Sequence, residues 1–163
     1  MNINQNKNNE MKKLLIICIV FSVSTCSLYS QNKTIKGRVI TDDFEPVPLA
    51  LIMINDTVEI DRTDLNGYFQ IDNPVSEKKL LFMFVGLDPT AIKLVDKCDE
   101  VEVVMMRSSS YDFITLKKAD RLRMKRFKKL PKIHKEAFEK GLFKTDKACY
   151  TQEFIPRYKK KQK

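Results

Sequence analysis

The sequence predicts a mainly β protein: a seven-stranded β-sandwich followed by a basic α-helical C-terminal extension. Three observations carry that expectation. Between residues 33 and 106, apolar residues alternate with polar ones in short runs that recur every 8–12 positions. Turn-forming residues separate the runs: Asp42-Asp43, Asn55-Asp56, Asn66-Gly67, Asn73-Pro74, Asp88-Pro89 and Asp96. After Ser108-Ser109-Ser110 the pattern changes to helical spacing and the charge turns strongly basic.

Each strand has its own signature. "KTIKGRVIT" sets Ile35, Gly37 and Val39 on one face. "VPLALIMIN" (47–55) is nearly all apolar, as expected of a strand buried on both sides or at a sandwich core. "TVEIDRT" alternates Val58 and Ile60 with acids, and "GYFQI" sends Phe69 and Ile71 inward. "KLLFMFV" (79–85), "TAIKLV" and "EVEVVMM" complete the set with Ile92, Leu94, Val101, Val103 and Met105. No helical stretch interrupts these strands, which argues against a parallel βαβ sheet.

The 163 residues divide into 1–30, 31–107 and 108–163. In the first, Lys12 and Lys13 precede an apolar run from Leu14 to Val23 and then small and polar residues, the plan of a secretory signal, with cleavage expected after Ser30. The run is about half of what a spanning helix needs. Cys26 follows Ser24-Thr25, a poor match to a lipidation site. Export would leave Cys98 and Cys149, either as two free thiols or as a disulfide joining the sandwich to the tail. The expected location is the periplasm or the outer membrane, or the medium outside.

Charge is unevenly spread. Residues 32–106 carry 8 basic and 14 acidic side chains, a net of −6, whereas 112–163 carry 18 and 6, a net of +12. The tail begins with "DFITLKKADRLRMKRFKKL", a basic helix in which Phe113, Leu116, Phe127 and Leu130 make a stripe interrupted by Asp120 and Arg123. Its cations Lys117, Lys118, Arg121, Arg123, Lys125, Arg126, Lys128 and Lys129 are expected to form a basic surface. "PKIHKEAFEKG" gives a second helix, with Pro131 near its start and Gly141 past its end, and the remainder reads as a frayed basic terminus. Such a tail can be a helical hairpin packed on the sandwich edge through Phe127, Ile133, Phe138 and Phe143. It can equally be a contact surface for an acidic partner protein or an anionic membrane. Nucleic acid is a weaker partner class, because no recognition motif is visible.

Four blocks resemble the carboxypeptidase-regulatory-like domain. They are Gly37 and Val39; Glu45-Pro46-Val47-Pro48; Thr63, Asp64, Gly67 and Phe69; and Val85-Gly86. The resemblance covers about 33–106 and implies a small transthyretin-like or prealbumin-like β-sandwich. Such domains are common in exported proteins of Bacteroidetes-type bacteria and at the N-terminus of TonB-dependent receptors. This sequence has Phe44 where a turn Gly is usual, Ala50 where Gly often follows the prolines, and Leu87 for Tyr.

No catalytic, cofactor or metal residues are expected. In "TDLNGYFQI" (63–71), Asp64, Asn66 and Gly67 form a turn, expected to close a hairpin. A calcium loop with Gly67 at position 6 would put Arg62 at position 1 and Asn73 at position 12, which does not suit the ion. His134 is the single imidazole, and Cys149 its only available nucleophile partner. The expected function is therefore a non-enzymatic exported structural or interaction module of the bacterial envelope, with no cofactor and no small-molecule substrate. The alternatives are a secreted hydrolase and a polysaccharide-binding accessory using Tyr68, Tyr111, Tyr150 and Tyr158.

Overall fold

Period-2 burial sorts the strands into two sheets that face each other. The computed structural model describes residues 32–74, 77–95 and 98–158. The expected signal segment 1–30, with Cys18 and Cys26, lies outside the described residues. In chain order the strands are β1 (Asn32–Thr41), β2 (Leu51–Ile54), β3 (Val58–Arg62), β4 (Tyr68–Pro74), β5 (Lys79–Met83), β6 (Thr90–Leu94), β7 (Glu100–Met105) and β8 (Tyr150–Glu153). Two helices, α1 (Leu116–Phe127) and α2 (Leu130–Glu139), lie between β7 and β8.

One sheet has the order β4-β1-β7 and the other β3-β2-β5-β6-β8. β1 pairs antiparallel with β4, matching Ile35 to Ile71, and parallel with β7, matching Val39 to Val103. The second sheet is antiparallel throughout. Between the sheets lie Ile35, Val39, Ile52, Phe69, Ile71, Phe82, Ile92, Val101, Val103 and Met105, with the Phe69 and Phe82 rings 5.5 Å apart. The mainly β sandwich with a helical extension is what the sequence pattern predicts.

Three local expectations change. The apolar run 47–55 is not one strand: β2 starts only at Leu51, and its side chains alternate between buried and half-buried. Val47 to Ala50 instead form a loop in which Leu49 takes φ 53°. Within the segment expected to fray, Tyr150–Glu153 pairs with β6 as an eighth strand, and residues 159–163 lie outside the described residues. Finally, β7 is buried on both faces. Val101, Val103 and Met105 point between the sheets, while Val104 and Met106 join Ile40 in a second apolar cluster with Leu130, Ala137 and Phe143. Phe127 and Ile133 pack against that cluster, as the helical-hairpin reading expects, whereas Phe138 is exposed.

Candidate functional site

The 63–71 stretch is a corner between the sheets, not a hairpin: β3 belongs to the five-stranded sheet and β4 to the three-stranded one. Asp64 Oδ1 accepts the backbone N–H of Asn66 at 2.9 Å and of Tyr68 at 2.7 Å, so its carboxylate is engaged within the turn. Gly67 sits at φ 79°, and a Cβ there would overlap the Val39 carbonyl oxygen. Thr63, 1% exposed, donates its hydroxyl to the Val47 carbonyl at 2.6 Å and accepts from Ala50 N–H at 2.8 Å. A buried hydroxyl with both roles filled pins the 47–50 loop to the corner. Phe44 carries φ 68° in a turn where its backbone N–H donates to the Thr41 carbonyl.

The interrupted stripe of α1 turns out to be its docking face. Ala119 and Arg123 are the buried residues of this helix. Arg123, 2% exposed, donates Nε to Asp88 Oδ2 at 2.9 Å, and Nη1 to Asp120 Oδ1 at 2.9 Å and to the Ile155 carbonyl at 3.1 Å. Asp88, 1% exposed, also receives Arg157 Nη2 at 2.8 Å. The Arg123 guanidinium lies 5.2 Å from the centre of the Phe154 ring. Asp120 further accepts the N–H groups of Arg157 at 3.1 Å and Tyr158 at 2.8 Å. Burial pushes the Asp120 carboxyl up, but these N–H donors and Arg123 outweigh it and hold it below its ordinary value. The stripe's remaining apolar members, Phe113 and Leu116, are exposed.

Arg123 is therefore not a surface residue, because a buried guanidinium is tolerated only where its donors are matched by carboxylates and carbonyls. Arg126 is also drawn in, donating to Asp42 Oδ2 at 2.8 Å and to Ser109 Oγ at 2.6 Å. Part of the acidic-body, basic-tail asymmetry is thus an internal fastening. The other six cations behave as expected of a surface. Lys117, Lys118, Arg121, Lys125, Lys128 and Lys129 are exposed, and none forms a salt bridge among the described residues. On α2 the lysines are matched by acids one turn on, Lys132 with Glu136 and Lys135 with Glu139.

The arrangement costs α1 stability. Its first turn has no acidic residue and holds Lys117 and Lys118, which oppose the positive end of the helix dipole. Lys117–Arg121 and Arg121–Lys125 are like-charge pairs at i,i+4, each unfavourable by about 0.2–0.5 kcal/mol. The Thr115 side chain accepts from Lys118 N–H and offsets part of this.

The lower tail is held by a disulfide and a buried acid. Cys98 and Cys149 are bonded, with Cα atoms 5.4 Å apart. Glu102 is buried beneath the 144–145 backbone, accepting the N–H groups of Lys144 and, at 3.1 Å, Thr145, and the Thr145 hydroxyl at 2.7 Å. The Tyr150 hydroxyl donates to the Glu102 carbonyl at 2.7 Å, and burial pushes this phenol up. His134 is buried on α2 with its ring 4.8 Å from that of Phe143, and its Nε2 has no hydrogen-bond partner among the described residues. Burial lowers its pKa; the negative charge of Glu102 and of Asp146 pulls the other way, without prevailing. His134 lines a cavity of about 270 Å³ together with Val104, Leu130, Tyr150 and Gln152. With its sulfur bonded to Cys98, Cys149 is not a free thiol for His134 to activate. Of the tyrosines considered for stacking on sugars, Tyr68 is exposed with the Arg38 guanidinium 4.7 Å from its ring centre, and Tyr150 is tied down as described.

Residues 35–114 match the family model of the CarboxypepD_reg-like domain. That stretch is a CarboxypepD_reg-like domain. A search among curated proteins finds no match to the chain. The geometry supplies physical reasons for the domain's sequence blocks. Gly37 lies where β1 and β7 approach so closely that a Cβ would overlap the Val101 carbonyl. Thr63, Asp64 and Gly67 make the inter-sheet corner, and Phe69 enters the core. The matched stretch ends one residue before Thr115, the N-cap of α1, so the basic helix follows the CarboxypepD_reg-like domain and must be read from its own residues.

Proposed function

We propose that the chain is a non-enzymatic exported interaction module of the bacterial envelope, in which the CarboxypepD_reg-like domain serves as scaffold and α1 as the contact surface for an anionic partner. The observation that carries this reading is the outward face of α1. Lys117, Lys118, Arg121, Lys125 and Lys128 point away from the buried Ala119 and Arg123 at helical spacing, with no acid among them. A helix that keeps self-repelling cations without salt bridges among the described residues departs from local stability rules, and such departures concentrate at functional surfaces. The inward cations are fastened by Asp88, Asp120 and Asp42, which holds the outward ones in a fixed array. For export, the support is the signal-like composition of residues 1–30 and the bonded cysteines.

The test is binding of the intact, oxidised chain to polyglutamate and to phosphatidylglycerol vesicles over a salt series. Binding to either that weakens steeply from 50 to 300 mM salt is expected, because exposed charges are screened over about 10 Å near 0.1 M. Absence of binding to both at low salt overturns the reading. Deleting 112–163 is not a usable control, since it removes β8, Cys149 and part of the second core.

A further inference from the structure

An open groove of about 530 Å³ runs between α1 and the segment that follows β8. Lys117, Arg121, Lys125 and Lys128 line the helix side. Met124, Phe154, Pro156 and Tyr158 supply apolar surface. The groove's single carboxylate, Asp120, is already matched by Arg123 and by the N–H groups of Arg157 and Tyr158. The net character is an apolar floor under a cationic rim.

That combination selects among anionic partners. A lipid surface presents a plane of headgroups, which would meet the outermost cations and leave the floor unused. An extended peptide can place carboxylates on the rim and an apolar side chain on the floor at once. Lys117 to Lys128 spans about 16 Å at a rise of about 1.5 Å per residue. That length accommodates about five residues of extended chain at about 3.3 Å each.

We propose that this groove binds an extended acidic segment of a partner protein, carrying at least one aliphatic or aromatic side chain that seats against Met124 and Phe154. The proposal rests on the reading of α1 as the contact surface, and it specifies the partner's chemistry.

Fluorescence anisotropy of the intact, oxidised chain tests it, with three probes. The first is a labelled six-residue peptide of two Glu, Leu-Phe and two Glu; the second is hexaglutamate; the third is phosphatidylglycerol vesicles. The Leu-Phe peptide should bind about tenfold more tightly than hexaglutamate, from the apolar area it buries. Met124→Gln should erase most of that preference without altering the melting profile, and Tyr158→Ser provides a second groove variant should the first fail to fold. Arg121→Glu should weaken both peptides. Equal affinity for the two peptides, or a preference untouched by both groove variants, overturns the proposal. Binding to vesicles with none to peptide also overturns it while leaving α1 as an anionic contact surface. Failure to bind any of the three probes overturns both readings.

Discussion

Replacing Asp88 with Ala should be among the most damaging single changes outside the apolar core. Asp88 and Arg123 are both essentially inaccessible, with side-chain exposures of 2% and 3%. Asp88→Ala strands the Arg123 guanidinium with one carboxylate, Asp120, and one carbonyl, Ile155, and removes the acid that receives Arg157. Removing one partner of a buried ion pair costs about 3–5 kcal/mol, because the remaining charge stays desolvated. At roughly 3 °C per kcal/mol for a domain of this size, the melting temperature should fall by about 10–15 °C. The assay is urea denaturation of the oxidised chain in a double-mutant cycle with Arg123→Met. The double variant should be more stable than Asp88→Ala alone, since it no longer buries a guanidinium whose Nε has lost its carboxylate, and the coupling energy should exceed about 2 kcal/mol. Additive effects, with coupling below about 0.5 kcal/mol, would refute the assignment of this pair as the fastening of α1.

Other expectations follow from the same geometry. Gly67→Ala should cost at least about 2 kcal/mol, because φ 79° disfavours any Cβ and the Val39 carbonyl occupies its space; an unchanged denaturation midpoint would contradict the corner assignment. Cys98→Ser with Cys149→Ser should cost about 4 kcal/mol by the loop-entropy model for a separation of 51 residues, and two alkylatable thiols in the unreduced chain would contradict the bridge. His134, buried with its pKa below 6.5, makes the unfolded chain the better proton acceptor in mild acid. Stability from this residue should be complete above about pH 6.5 and decline as pH falls through that value; His134→Leu should flatten the profile on the acid side of that value. A profile identical in the variant would show that His134 titrates normally.

The sandwich was legible because its signal is local. Alternation places Ile35, Val39, Phe69 and Val101 on inward faces, and Asn66-Gly67 announces positive φ at Gly67. Partnering is not local, so the sequence suggested a hairpin at 63–71 although β3 and β4 pair with different neighbours. β8 carries no local strand signal, because "YTQE" has almost no apolar content; it is a strand through its pairing with β6 beside the disulfide. The basic surface was legible as composition, but composition cannot say which cations face inward. One signal existed. Asp120 and Arg123 break the apolar stripe at i,i+3, with Ala119 beside them, which is what a polar docking face looks like when a buried acid, Asp88, waits on the sandwich. The fastening network has no local signature on the sandwich side, where Asp88-Pro89 signals a turn and nothing of burial.

The central claim is that the outward cations of α1 serve a partner while the inward ones serve the fold. The most direct measurement compares the intact chain with the triple variant Lys117→Glu, Arg121→Glu, Lys125→Glu, reading polyglutamate binding at 50 mM salt and the urea midpoint in parallel. The account predicts that binding falls by at least about tenfold, while stability stays the same or rises, because an acid at position 117 suits the positive end of the helix dipole and acids at 121 and 125 lie one turn from Lys118, Lys128 and Lys129. Binding that survives, or a marked loss of stability on reversal, would contradict it.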